Sequence, residues 1–280
     1  MSSKDRVLEL LELNKEEYIS GELMAEKLGL SRNAVWKAIS ELRKQGYVIE
    51  ASSNKGYHLG TSNDIISEFG ILSELSKLSP DLDHSGKIKI YESIDSTNRL
   101  AKELAITGAP GGTVIIARNQ SLGKGRREHE FFSPEGGIYM SIILSPDMLP
   151  SLEPDVVTAL AGVAVCDSLV SLCGINPRIK PVNDLFVDGK KICGILTESG
   201  TEYDTGTVQW IVIGIGINFD SDISKFPKEL KDIAGSVFKP GKGTVTKNSL
   251  IAAILYNISK LSLGDKKEVL KAYKARLITV

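Results

Sequence analysis

Residues 20–59 read SGELMAEKLGLSRNAVWKAISELRKQGYVIEASSNKGYHL, and this stretch decides the fold of the N-terminal part of the chain. Ser20 and Ser31 belong to the residue types that cap helix N-termini, so they predict one helix over residues 21–28 and another over 32–45. Gly29 permits a tight turn between the two helices, and Gly46 is suited to end the second. Apolar residues at helical spacing predict its buried face: Ala34, Val35, Ala38, Ile39 and Leu42.

The flanking residues complete a recognisable module. An apolar stripe predicts a preceding helix: Val7, Leu8, Leu10, Leu11 and Leu13. After the third helix, two extended stretches at 47–51 and 56–59 are joined by the polar residues Ser52-Ser53-Asn54-Lys55, which predict a hairpin. Three helices with a glycine turn, followed by a hairpin, indicate a winged helix-turn-helix.

Charge is divided unevenly within this module. Residues 1–30 contain four Lys or Arg against seven Asp or Glu, whereas residues 31–60 contain five against two. The basic half coincides with the recognition helix and the wing, where phosphate contacts are made, so we expect DNA binding. The candidate DNA-binding residues are Arg32, Asn33, Trp36, Lys37, Ser40, Arg43 and Lys55. The alternative is a three-helix module for protein contacts whose basic residues are merely solvated.

Composition sets the class of the whole chain. Its 280 residues suggest two domains, and 42% hydrophobic and 25% charged residues with a net charge of −1 are ordinary for a soluble globular protein. We expect no membrane span, because Asp167 interrupts the apolar run at residues 156–177, and no signal peptide. The three cysteines show no metal-binding pattern, so we expect reduced thiols, no metal site and a cytoplasmic location.

The remaining residues predict a larger α+β domain, with domains at 1–62 and 63–280. Helices are predicted over 65–78, 96–107, 155–172 and 246–263, and strands over 87–91, 113–118, 138–144 and 208–215, with a hairpin at 184–198. Helices and strands mix without strict alternation, which favours a mixed sheet over a doubly wound parallel one.

Three polar clusters in this domain carry the chemistry. In Gly123-Lys124-Gly125-Arg126-Arg127, glycines beside cations let the backbone approach an anion, although such loops are often plain surface turns. The segment from Lys180 through Asn183-Asp184 to Lys191 and Gly194 indicates either a ligand site or a charged hairpin. The ligand site is suggested because a glycine inside a strand often marks the close approach of a ligand. Asp95-Ser96-Thr97-Asn98 stands at a helix start, where it either binds a polar ligand or simply caps the helix.

Taken together, these clusters resemble the repressor-type biotin–protein ligases, in which a winged helix precedes a ligase domain. The resemblance covers roughly residues 1–270, and the specificity lies in the order of several short motifs. The motifs are Ser96-Thr97-Asn98, Gln120, residues 123–127, Ser133-Pro134-x-Gly136-Gly137, Lys180-x-x-Asn183-Asp184, Lys191-x-x-Gly194-Ile195-Leu196 and Gly214-x-Gly216-Ile217-Asn218.

The resemblance implies that biotin and ATP form biotinyl-5′-adenylate, that the biotinyl group passes to a lysine of a carboxylase's biotin carboxyl carrier domain, and that a homodimer represses transcription on operator DNA. Arg126 and Lys191 become the catalytic candidates, near the biotin carboxylate and the transferring phosphate. Lys180 and Asn183 would face the phosphates and Mg²⁺, and Phe131 would stack on adenine. The implied binding residues are Ser96, Thr97, Asn98, Gln120, Lys124, Gly125, Arg126, Phe131, Lys180, Asn183, Lys191 and Gly194.

The sequence also departs from the family pattern. The family's glycine-rich loop has Arg, Gly and Arg where Lys124, Glu128 and His129 stand, and Glu128 and Glu130 place negative charge beside a phosphate site. The sequence ends at Val280, so we expect the family's small SH3-like C-terminal barrel to be absent. These departures favour an alternative, a DNA-binding repressor that senses biotin or its adenylate with weak or no ligase activity.

Overall fold

The computed structural model describes residues 1–15, 17–60, 63–82, 84–126, 129–202 and 204–278. One hydrophobic core is built from residues 7–59, and a larger one is built from Ile66 onward. The helices are α1 Ser3–Leu13, α2 Gly21–Leu28, α3 Arg32–Lys44, α4 Glu68–Leu78, α5 Thr97–Ile106, α6 Pro154–Cys173, α7 Lys228–Lys231, α8 Lys247–Ser262 and α9 Lys266–Ala275. The strands are β1 Ile49–Ser52, β2 Gly56–Leu59, β3 Ile88–Ile94, β4 Val114–Gln120, β5 Ile138–Leu144, β6 Arg178–Lys180, β7 Asp184–Val187, β8 Lys190–Thr201 and β9 Val208–Ile217.

The N-terminal unit contains the predicted three helices and hairpin. The Ser20 and Ser31 hydroxyls each accept a hydrogen bond, from the backbone N–H groups of Leu23 and Ala34 at 3.1 Å. Gly29 adopts a φ of 59° in the turn between α2 and α3. Strands β1 and β2 pair antiparallel to form the wing. The helix caps, the glycine turn and the hairpin predicted from the sequence are therefore all present.

The buried face of α1 is narrower than predicted, and that of α2 is also narrow. Leu13 is 62% exposed because it is the last residue of α1, beyond the stripe that packs inward. Leu23 is 40% exposed, since the short α2 buries only the stripe around Met24 and Ala25. The apolar stripe predicted for the first helix therefore extends one residue too far, to Leu13.

The wing begins two residues later than predicted, at Ile49. The Tyr47 N–H donates to the carbonyl of Leu42 and so finishes α3 rather than starting a strand. The Val48 N–H and carbonyl both bond the side chain of Asn63, at 2.6 and 2.8 Å. Asn63 belongs to the expected linker, of which Thr61 and Ser62 lie outside the described residues.

The C-terminal unit is built on a seven-stranded sheet in the order β3-β4-β5-β9-β8-β7-β6. Among the strand pairs that the structure describes, only β3–β4 is parallel, so the sheet is mixed, as predicted. Helix α5 covers one face, where Ile115 and Ile143 are buried, and α4 and α6 cover the other, with α8 packed against both of them. Because successive strand residues point to opposite faces, their neighbours Ile116 and Ile142 belong to the second core.

Helix α6 is long and apolar enough to cross a membrane by length and composition, despite Asp167, but 72% of its apolar window is buried inside the protein. It lies between the sheet and α8, and Asp167 at its exposed side pairs with Arg276. Burial, rather than the interruption by Asp167, therefore identifies α6 as a core helix. Cys166 and Cys193 are buried free thiols, and Cys173 is a half-buried one.

Among the α-helices and strands of the described residues, β6, α7 and α9 were not predicted from the sequence. Strand β6 has three residues, too few for a periodic signal, and it exists because it pairs with β7 and with the chain near Leu277. Helix α4 begins at Glu68 rather than residue 65, because the Ser67 hydroxyl accepts the N–H of Gly70 and Asn248 bonds the backbone of Ile65 and Ser67.

Candidate active site

A cavity of about 550 Å³ opens on the α5 face of the sheet, beyond the N-terminus of that helix. Every residue expected from the sequence to bind biotin or ATP lines it: Ser96, Thr97, Asn98, Gln120, Lys124, Gly125, Arg126, Phe131, Lys180, Asn183, Lys191 and Gly194. Arg126 and Lys191, from segments far apart in sequence, thus share one cavity.

The start of α5 forms a hydrogen-bonding wall. The backbone N–H of Thr97 donates to Oε1 of Gln120 at 2.8 Å, and the Thr97 hydroxyl donates to the same oxygen at 3.0 Å. Gln120 in turn donates from Nε2 to the Ser133 hydroxyl at 2.9 Å. Ser96 caps α5, because its hydroxyl accepts a hydrogen bond from the backbone N–H of Arg99 at 3.4 Å. Ser96 is therefore a helix cap, as one of the two alternatives predicted, and it also lies in the wall of the cavity.

Asn98 packs against the sheet at Gly214, beneath this wall. A Cβ on Gly214 would lie 2.1 Å from Asn98 Oδ1, so only glycine leaves room for the carboxamide. Ser141, which is fully buried, places its hydroxyl 2.6 Å from Asn98 Oδ1 and 2.8 Å from Thr97 Oγ1. The carboxamide nitrogen donates to Oε2 of Glu198 at 2.9 Å.

Two further glycines form a floor for an aromatic ring. Gly194 and Gly216 are paired across β8 and β9, and Cβ atoms on them would lie 3.0 and 2.5 Å from the ring of Phe131. The ring also meets Tyr139 edge-on, with centroids 6.3 Å apart. Lys191 Nζ lies 5.8 Å from the Phe131 centroid, and this places a cation beside an apolar surface.

The cations of the cavity are held in different ways. Lys191 pairs with Asp184 at 2.8 Å, and Lys180 Nζ lies 5.7 Å from the ring of Phe186. Asn183 donates from Nδ2 to the carbonyl of Ile195 at 2.8 Å, so its Oδ1 remains an acceptor. Arg126 is exposed at the cavity mouth.

The glycine-rich loop folds back on itself. Gly125 N–H donates to the carbonyl of His129 at 2.7 Å, and Phe131 N–H donates to that of Gly123 at 2.8 Å. Lys124 and Glu130 form an antiparallel bridge, and both line the cavity. Glu130, one of the two acidic residues noted in this loop, therefore lies at the site. Arg127 and Glu128 lie outside the described residues.

Tyr139 and Ser141 are site residues that no motif in the sequence indicated. They alternate along β5 with core residues and so point to the α5 face, as Gly214 and Gly216 do on β9. Tyr139 donates to the carbonyl of Pro134 at 2.6 Å, and burial raises the pKa of its phenol, so that it remains neutral. Extending the period-two pattern from Gly214 to the neighbouring strand would have found both residues.

The candidate DNA surface lies in the other unit. Arg32, Asn33, Trp36 and Lys37 are exposed on α3, with Trp36 58% exposed, and Ser40 is half-buried. The Arg43 guanidinium donates twice to the carbonyl of Ile49, at 3.0 and 2.6 Å, and so ties α3 to the wing. Lys55, in the wing turn, lies 5.7 Å from the ring of Tyr18.

Comparison with known proteins agrees with this geometry. Residues 90–218 match the biotin/lipoate A/B protein ligase family, and residues 4–58 match an HTH domain. The chain is 40% identical to the bifunctional ligase/repressor BirA of Bacillus spizizenii over 260 residues, covering 91% of this chain and 76% of the relative. It is 32% identical to the Escherichia coli protein of the same name over 203 residues, covering 72% and 60% of the two chains.

A solved structure shows the same fold at lower identity. The biotin protein ligase from Aquifex aeolicus, in complex with biotin and ATP, superposes with a TM-score of 0.58 at 24% identity and covers 69% of this chain and 79% of its own. The architecture, the shared cavity and the identity to these relatives lead to one conclusion. The chain belongs to the biotin/lipoate A/B protein ligase family, among its bifunctional ligase/repressor proteins.

Proposed function

We propose that this protein activates biotin with ATP and transfers it to a carrier lysine. In the first step a carboxylate oxygen of biotin attacks the α-phosphorus of ATP, and pyrophosphate leaves. In the second step the lysine amine attacks the acyl carbon, and AMP leaves. The observation that supports this best is the single cavity that joins the Thr97–Gln120 wall to Arg126 and Lys191.

Neither step needs a protein nucleophile, because positioning and neutralisation of phosphate charge are sufficient. The Thr97 hydroxyl and the amide of Gln120 are suited to the ureido ring of biotin. Arg126 and Lys191 supply positive charge for the carboxylate and the α-phosphate. The loop around Lys124 and Gly125 is suited to cover the adenylate and slow its loss to water.

The nucleotide is expected on the neighbouring part of the cavity. Phe131 offers a ring face for adenine, and Lys180 and Asn183 offer a cation and a carboxamide oxygen for the phosphates. In the part of the chain that the structure describes, no three His, Cys, Asp or Glu side chains form a metal cluster. Mg²⁺ fits this site as an ion carried in by ATP, because it binds one or two protein oxygens, such as that of Asp184, together with phosphates and water. Bound there, it would neutralise phosphate charge.

Exchange of labelled pyrophosphate into ATP tests the first step, and transfer of biotin to an isolated biotin carboxyl carrier domain tests the second. We expect both to occur and to depend on biotin. Exchange without transfer would limit the activity to adenylate formation. Tight biotin binding without exchange would instead support the alternative, a biotin-sensing repressor.

We further propose that residues 1–62 form the operator-binding domain and residues 63–280 the ligase domain of a cytoplasmic protein, which binds DNA as a homodimer with the adenylate as corepressor. Two separate cores support the division. The exposed cations and Trp36 on α3 support DNA contact, since phosphate neutralisation dominates affinity and base edges are read from this helix.

Replacing Lys37 by alanine should weaken operator binding and reduce the slope of log affinity against log salt by about one unit, because one phosphate contact is lost. Fluorescence anisotropy across a salt series measures this. Lys77→Ala is the control, because Lys77 is an exposed lysine on α4 that pairs with Glu74. An unchanged slope in Lys37→Ala would contradict the assignment of α3 as the DNA-reading helix.

A further inference from the structure

One charged side chain behind the cavity has a geometry that ion pairing alone does not explain. Glu198, on β8, contacts two residues of α5 that lie one helical turn apart. Its Oε2 accepts from Asn98 Nδ2 at 2.9 Å, and its Oε1 accepts from Lys102 Nζ at 2.7 Å. Asn98 lines the cavity and is 5% exposed, whereas Glu198 does not line the cavity. The carboxylate therefore acts on a buried site residue from behind.

The contact decides which way the Asn98 carboxamide faces. Its nitrogen donates to Glu198 and, at 3.4 Å, to the carbonyl of Leu196, while its oxygen lies 2.6 Å from the Ser141 hydroxyl. A flipped carboxamide would bring its oxygen against the carboxylate, and the two acceptors would repel. The negative charge of Glu198 thus holds the Asn98 oxygen toward Ser141.

This orientation controls the proton of Ser141. A serine hydroxyl has one proton, and Ser141 lies within hydrogen-bonding distance of both Asn98 Oδ1 and Thr97 Oγ1. With the Asn98 oxygen facing it, Ser141 has an acceptor for that proton. If the carboxamide flipped, its NH₂ would donate to Ser141, and the serine proton would turn to Thr97. Because the Thr97 hydroxyl donates its own proton to Gln120, its oxygen has two lone pairs, and Ser141 would then occupy one of them, which leaves one acceptor position instead of two for a ligand N–H.

We propose that Glu198 is a positioning residue of the ligase reaction: by fixing the Asn98 carboxamide and, through Ser141, the Thr97 hydroxyl, it keeps an acceptor ready for an N–H of the biotin ring. Lys102 holds the carboxylate in place from the next turn of α5. This inference rests on the proposed function. It adds a specific requirement, because a biotin analogue without ring N–H groups gains nothing from Glu198.

Steady-state exchange kinetics test the proposal. In Glu198→Gln the side chain keeps its size but loses its charge, and we expect the KM for biotin to rise about tenfold while the KM for ATP stays within about twofold. Glu103→Gln is the matched control, since Glu103 lies on α5, pairs with Arg99 at 3.0 Å and does not line the cavity. It should leave both constants unchanged.

Lys102→Met separates positioning from simple ion pairing. This variant breaks the ion pair but leaves the carboxylate on Asn98, so we expect the KM for biotin to rise by no more than about threefold. Equal increases in Lys102→Met and Glu198→Gln would overturn the proposal, as would an unchanged KM for biotin in a folded Glu198→Gln protein.

Calorimetric titration with biotin keeps this test independent of catalysis. If the wild-type protein shows no exchange, the proposed function fails, but weaker biotin binding by Glu198→Gln than by Glu103→Gln still supports the positioning role. Equal biotin affinity of the two variants would refute it.

Discussion

Replacing Lys191 by methionine should lower kcat/KM for biotin-dependent pyrophosphate exchange about 10²–10³-fold, which is the usual cost of removing one group that stabilises transition-state charge. Lys191 lines the cavity with Arg126, and its ammonium lies 2.8 Å from Asp184 and 5.8 Å from the Phe131 ring centroid. An ammonium partly shielded from water by an aromatic ring interacts strongly with a developing phosphate charge. Methionine preserves most of the side-chain volume but cannot supply that charge.

The neighbouring lysine provides the control. Lys190 precedes Lys191 on β8 but points away, and its ammonium donates to the carbonyl of Asp232. Lys190→Met removes the same charge from the same strand, so it should retain activity within about twofold of wild type. A loss of less than tenfold in Lys191→Met, or an equal loss in Lys190→Met, would show that Lys191 does not act on the reacting phosphate.

Replacing Lys247 by methionine should lower the free energy of unfolding by about 3–5 kcal/mol, because breaking a buried pair leaves uncompensated charge. Lys247 is 8% exposed and pairs with Asp64 and, at 3.0 Å, with Asp220. Its ammonium also lies 5.0 Å from the ring of Phe219. The variant would leave the partly buried carboxylates of Asp64 and Asp220 without the cation that they share.

Urea unfolding followed by circular dichroism measures this loss. The control is Lys266→Met, which breaks an exposed pair with Glu153 and should cost no more than about 1 kcal/mol. Both substitutions remove one positive charge, so a difference between them reports burial rather than net charge. If the two variants unfold at the same urea concentration, the Lys247 pairs contribute no more than surface ones.

Many elements were predictable because their signals are local. The caps at Ser20 and Ser31, the glycine turn and the apolar spacing on α3 lie within a few residues of the backbone groups they satisfy. Strand β5 was predicted with its observed bounds, since all seven of its residues are buried. By contrast, β6 forms because it pairs with β7 and with the chain near Leu277, and its own three residues contain no pattern that predicts a strand.

The sequence by itself determined the winged helix, the mixed α+β class and the identity of twelve residues that line the cavity. Only the tertiary structure decided how those side chains are held, because the contacts that hold them join distant parts of the chain. Asn98 and Glu198 are 100 residues apart, and Asp64 and Lys247 are 183 residues apart. A carboxamide, a carboxylate and a lysine acquire these roles only when folding removes water from between them, and no local pattern encodes that event.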